Sequence, residues 1–167
     1  ATWLAQQPSV KPHLAALVMI SPNFQPKHWA IPLFLWPWAQ YWVSLVAGRE
    51  HGWEPANEGG KKYWTYRYPT RTLHQVAALV KAVRDSPVEQ IEVPTLFIYS
   101  DFDQVVKARF TDALMRRWGS PIKHRICPPP MAGDNNHVLT GAIVRPDSTE
   151  RVSADILNFI KALPAKP

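Results

Sequence analysis

The chain has 167 residues, 46% of them apolar, one cysteine and a formal net charge of +6. That length allows one domain with a substantial core. A single cysteine excludes an intrachain disulfide; the basic residues are scattered, no RNA- or DNA-binding motif occurs, and no nucleic-acid partner is expected.

"ATWLAQQP" opens the chain with helix formers and a proline stop. It reads as the tail of a helix already under way, with more polypeptide expected before Ala1. "HLAALVMIS" (13–21) is a short, continuous apolar run, the pattern of a strand buried on both faces of a parallel sheet. Residues 22–69 are aromatic, proline-rich and irregular. Within them "WAIPLFLWPWAQYWVSLVAG" (29–48) has no charge in twenty positions. Its length would cross a bilayer, but Pro32 and Pro37 interrupt it, and tryptophan clusters favour interfaces over hydrocarbon centres. "HGWEPANEGGKKYWTYRYP" reads as a mobile connection with Gly59–Gly60 as its hinge.

"TRTLHQVAALVKAVRDS" (70–86) carries Leu73, Val76, Ala77, Val80 and Val83 at helical spacing, with Arg84 in its last turn. "PTLFIYS" is a second buried strand. "QVVKARFTDALMRRW" (104–118) is a helix with Val105, Ala108, Phe110, Leu114 and Met115 toward the core, ended by Gly119. "IKHRICP" (122–128) is a third strand, and Cys127 at its end reads as a small core residue. A loop follows over 129–147. "STERVSADILNFIKAL" (148–163) is a closing helix with Ser148 or Thr149 as its N-cap. This order makes the chain α/β with a mainly parallel sheet and flanking helices. It divides into residues 1–21, 22–69 and 70–167.

In such sheets reactive groups gather at the carboxyl ends of the strands. Asp101 and Asp103 lie just past one end, and His137 lies in the loop past another, 34 positions after Asp103. A carboxylate and an imidazole there can meet; the carboxylate would fix the ring's tautomer, and the ring would serve as general base and then acid. Two other readings compete: Asp103 as an N-cap for the helix over 104–118, and Asp101-x-Asp103 as a divalent-cation site. His124 sits in a strand and His51 and His74 lack a carboxylate frame, so all three read as structural.

"PTLFIYSDFDQVV", then "NNHVLTG" and a closing amphipathic helix, resembles the C-terminal half of an α/β-hydrolase, in particular the esterase, monoacylglycerol-lipase and lysophospholipase branch. Ser100 to Val106 match that family's Gly-x-x-Asp-x-x-Val turn with serine in place of glycine, and His137, Val138 and Leu139 match its histidine frame. The resemblance implies Asp103 and His137 as the acid and base of a Ser-Asp-His triad. It implies a nucleophile-elbow helix ending within 1–21, a helical cap, or lid, inserted at 22–69, and a C-terminal core over 70–167. No Gly-x-Ser-x-Gly occurs in the chain, so the serine and the oxyanion donors are expected upstream, and the chain alone is expected to be inactive.

In that frame Trp29, Leu35, Trp36, Trp38, Trp42 and Leu45 would line an apolar acyl pocket, joined by Val106, or touch a lipid surface. The implied substrate is a small-molecule ester or lipid with an apolar acyl chain, and no metal or organic cofactor is implied. Epoxide, haloalkane, amide or acyl-transfer chemistry on the same fold, and a non-catalytic lipid- or partner-binding protein, are the alternatives. One cysteine fits a cytoplasmic location.

Overall fold

The computed structural model describes residues 1–164. In chain order the regular elements are α1 (Thr2–Ala5), β1 (Leu17–Ile20), α2 (Ala39–Val46), β2 (Glu50–Gly52), α3 (Glu58–Tyr63) and β3 (Arg67–Pro69). After them come α4 (Thr72–Asp85), β4 (Thr95–Ile98), α5 (Ala108–Arg117), β5 (Lys123–Ile126) and α6 (Pro146–Lys161). The chain forms two compact units: Ala1–Lys27 together with the chain from Val83 onward, and His28–Ala82.

The first unit is built on a parallel sheet in the order β1-β4-β5. Leu17 pairs with Thr95 and Ile20 with Ile98 across one seam, and Thr95 with Lys123 and Ile98 with Ile126 across the other. The centre goes to β4, all four of whose residues are buried. Its two-residue period sorts them. Phe97 and, just beyond the strand, Tyr99 join Ala5, Met19, Val88, Ile91, Leu114 and Trp118 in one core. Leu96 and Ile98 join Leu139, Val152 and Phe159 in another. Leu114 belongs to α5, while Val152 and Phe159 belong to α6, so the two helices cover opposite faces of the sheet. The Trp118 indole N–H donates to Thr95 Oγ1 at 2.9 Å, and its ring meets Phe97 edge-on at 5.2 Å. Gly119 follows at a close crossing, where an added Cβ would sit 1.8 Å from the Glu89 carbonyl oxygen.

The second unit packs Ile31, Phe34, Ala39, Val43 and Ala77 together, with Leu35, Trp42 and Leu73 partly buried against them. His74 Nδ1 lies 2.6 Å from the Phe34 carbonyl. β2 and β3 pair antiparallel, His51 opposite Tyr68. No helix among the described residues is long and apolar enough to cross a membrane.

Several local expectations are corrected. Gly59 and Gly60 are no hinge: both lie inside α3, whose N-terminus is capped by Asn57 Oδ1 accepting from the Gly60 N–H at 2.8 Å. Cys127 is exposed rather than in the core, because β5 ends one residue before it. Helix α5 starts at Ala108, so Val105 precedes it and is exposed, and buried Thr111 takes the inner face with Leu114. It ends at Arg117 with Trp118 as its cap, so Gly119 serves the close crossing rather than the helix stop. Helix α6 opens on Pro146, and Arg145 is the cap residue. The Ser148 and Thr149 hydroxyls donate backward, to Leu139 O at 2.7 Å and Arg145 O at 2.8 Å.

Candidate active site

The site sits past the carboxyl ends of β4 and β5. After Ile98 the chain runs through buried Tyr99 and Ser100 and turns. The Ser100 hydroxyl accepts from the Phe102 N–H at 3.1 Å, and the turn delivers Asp103 back toward the protein. The Asp103 side chain is 1% exposed. A carboxylate that deep needs donors. Oδ1 accepts the Val105 and Val106 N–H groups at 2.7 and 2.9 Å, and Oδ2 faces His137 Nδ1 at 2.8 Å. Asp103 therefore fastens its own turn; the residue that caps α5 is Lys107, so Asp103 is not the helix cap. Lys27 Nζ donates to the Asp103 main-chain oxygen at 3.3 Å.

The imidazole arrives on a loop that its own side chains fold. Asn136 adopts a left-handed φ of 56°, which asparagine tolerates better than most residues. Its buried amide accepts from the Met131 N–H at 2.8 Å and donates to Asp134 O at 2.9 Å. Asn135 Oδ1 accepts the His137 N–H at 3.0 Å, and Asn135 O accepts the Gln104 N–H at 2.8 Å, tying the loop to the turn that carries Asp103. Arg145 Nη1 reaches Asp134 at 3.3 Å while its other nitrogens hold Asp147. The Arg145 bond holds the Asp147 carboxyl below the usual carboxylate range. The Ser21 hydroxyl donates to His137 O at 2.5 Å.

The two carboxylates of Asp101-x-Asp103 do not share a partner. Asp101 pairs with Arg125 at 2.5 Å, and Arg125 also reaches Asp112 at 3.5 Å and lies 4.2 Å over the Tyr99 ring. The Tyr99 hydroxyl donates to Asp112. Burial first, then that bond, pushes the Tyr99 phenol well above its ordinary value. This cluster braces the end of β4 against α5 and β5. Among the described residues no group of three or more metal-ligating side chains converges, so Asp101-x-Asp103 finds no third ligand.

With Nδ1 facing the Asp103 carboxylate, Nε2 is the ring nitrogen left outside that contact. The ring is 26% exposed, so it is open to a reactant while its partner is not. That is the arrangement a general base needs: one nitrogen fixed, one available.

The remaining sequence candidates fall as follows. Val106 is buried beside Asp103 and lines a cavity of about 340 Å³ with Lys27, Asp101, Lys107, Ala108 and Arg109. In the second unit Trp29, Trp36, Trp38 and Leu45 are exposed, Trp29 and Leu45 at 77% and 85%. Leu35 and Trp42 instead pack against that unit's core, and the Trp42 indole donates to Pro37 O at 3.3 Å. His51 meets the Tyr68 ring and His124 the Phe159 ring, both at a tilt, with centroids 5.6 and 5.8 Å apart. Sequence reading missed Ser21, Asn135, Asn136 and Arg145. The Asn-Asn pair before the histidine was the available signal, since asparagine both tolerates left-handed backbone and caps nearby amides.

No protein-family profile matches the chain, and no curated protein matches it in sequence. Solved structures do match. A soluble variant of monoglyceride lipase from Saccharomyces cerevisiae, in complex with a substrate analogue, superposes with a TM-score of 0.69 at 10% identity, over 99% of this chain and 59% of that one. A structure from a report of two metagenome-derived lipolytic enzymes gives 0.62 at 18% identity over 97% of this chain and 60% of that one. The Paleococcus ferrophilus monoacylglycerol lipase gives 0.57 at 13% identity over 95% of this chain and 62% of that one. The chain thus spans about three fifths of the length of each. It has the α/β-hydrolase fold that the sequence resemblance implied.

Proposed function

We propose that this chain is part of a serine hydrolase for carboxylic esters with apolar acyl chains. The observation that carries the reading is the 2.8 Å contact between His137 Nδ1 and the buried Asp103 carboxylate. The likeness to lipolytic enzymes supports it. In this reading the serine lies on polypeptide preceding Ala1. Its hydroxyl attacks the ester carbonyl carbon as His137 Nε2 removes the proton. The tetrahedral intermediate collapses, and His137 returns that proton to the departing alcohol. Water then attacks the acyl-serine by the same route, regenerating the serine. Asp103 orients the ring and stabilises its protonated form. No step calls for a metal or organic cofactor.

The chain contains no Gly-x-Ser-x-Gly, and by itself it is expected to hydrolyse no p-nitrophenyl ester above background. The residue at the upstream elbow tests the reading. Serine within Gly-x-Ser-x-Gly supports it. Aspartate there would replace it with epoxide or haloalkane chemistry, and an inert residue would replace it with a binding protein. Trp29, Trp36 and Trp38 belong to the proposal as acyl-contacting candidates on the second unit, and Val106 as one on the first.

A second reading has its own observation. Trp29, Trp36, Trp38, Tyr41, Leu45 and Val46 are all exposed on the second unit, a grouping that suits contact with a lipid surface.

A further inference from the structure

We propose that Ser21 is a positioning residue for His137: its hydroxyl ties the histidine main chain to the end of β1 and so holds the imidazole against Asp103. The inference deepens the triad reading and rests on it.

Ser21 is the residue directly after β1. Its N–H donates to Ile98 O at 2.8 Å, so its backbone is fixed to the end of the central strand. Its φ is 44°, in the left-handed region that disfavours a side chain with a β-carbon. A non-glycine residue held there against local preference marks a place where the surroundings specify the conformation. The hydroxyl then crosses 116 positions of sequence to donate to His137 O at 2.5 Å.

The two halves of the histidine peptide frame are thereby held differently. The His137 N–H goes to Asn135, a residue of the same loop. Its carbonyl goes to Ser21, at the rim of the sheet. The first bond shapes the loop; the second docks it. Asp103 has an independent anchorage in the Val105 and Val106 amides. Removal of the Ser21 hydroxyl therefore loosens the base and leaves the acid in place. In a proton relay that asymmetry matters, because a displacement of about 1 Å in a reacting group can cost on the order of 100-fold in rate.

The test is nuclear magnetic resonance on the ¹⁵N-labelled chain, following the His137 Nδ1 proton and its exchange with water. Asp103→Asn serves first as the check on the parent reading. Loss of the far-downfield, slowly exchanging imidazole proton is expected; its persistence would overturn the Asp103–His137 relay itself. In Ser21→Ala and Ser21→Gly the proton should remain, but its exchange should accelerate about fivefold to tenfold, the effect of one lost hydrogen bond on loop opening. The Leu96 amide in β4 should exchange as before. Glycine relaxes the positive φ while also lacking the hydroxyl, so it separates the two contributions. Exchange unchanged in both Ser21 variants would overturn the positioning role and leave the relay standing. Acceleration in the glycine variant alone, with alanine unchanged, would assign the effect to backbone freedom rather than to the hydroxyl, and acceleration matched at Leu96 would assign it to global destabilisation. Either of those also overturns the proposal.

Discussion

Asp103 Oδ2 lies 2.8 Å from His137 Nδ1, although 34 positions of chain separate the two residues. The parallel sheet makes the meeting feasible. β4 and β5 are neighbours running in the same direction, so the loops that follow them emerge at one edge. The acid is buried and bonded on both oxygens, while the base is partly open.

That bonding gives Asp103 a structural role. Asp103→Ala leaves the Val105 and Val106 amides without their acceptor and the imidazole without its partner. A loss of about 1–3 kcal/mol is expected, read as a lower urea midpoint with an unchanged slope. A midpoint equal to the parent's would show that the turn does not depend on the carboxylate.

Gly119 is required by space rather than by helix termination. A Cβ there would meet the Glu89 carbonyl oxygen at 1.8 Å and its carbon at 2.6 Å, and both are main-chain atoms that cannot swing aside. Gly119→Ala should destabilise the first unit by about 2–3 kcal/mol or more, measured by chemical denaturation. A neutral result would mean that the 88–90 turn shifts freely.

Tyr99 carries an alkaline signature. Its phenol is pushed upward by burial and by the bond to Asp112. The folded state therefore favours the protonated ring. This contribution is fully present below the unfolded value of about 10 and is lost as pH rises toward the higher folded value. Stability should fall above about pH 10, and Tyr99→Phe should flatten that fall relative to the parent. Parallel alkaline profiles for the two proteins would remove Tyr99 as the cause.

The exposed aromatics of the second unit give a separable expectation. If Trp36 and Trp38 enter a lipid interface, the chain should cosediment with anionic phosphatidylserine-containing vesicles. The double variant Trp36→Ser, Trp38→Ser should bind about tenfold more weakly or worse. Equal binding by both proteins would dismiss this face as the lipid contact.

β4 was readable because burial on both faces imposes a continuous apolar run; β1 carries the same pattern although only Leu17 and Met19 of it are buried and Ile20 is exposed. The contact between Asp103 and His137 was readable because an acid and an imidazole fell, in that order, at two strand ends. Ser21 was not, since its partner is 116 positions away and a serine before a proline is an ordinary turn signal. The start of α5 was misplaced because Val105 and Val106 continue a helical apolar spacing, whereas the Asp103 carboxylate holds their amides in a turn. Cys127 was misplaced because β5 stops at Ile126 and only pairing, not hydropathy, ends it there. In α3, Asn57 followed by Glu58 carried a readable helix-start signal that the Gly59–Gly60 pair obscured.

The most direct measurement is p-nitrophenyl ester turnover by polypeptide that includes the segment preceding Ala1, compared with its His137→Ala variant. The account predicts that kcat/KM falls by about a thousandfold or more. A variant that turns over ester at the parent rate would contradict it.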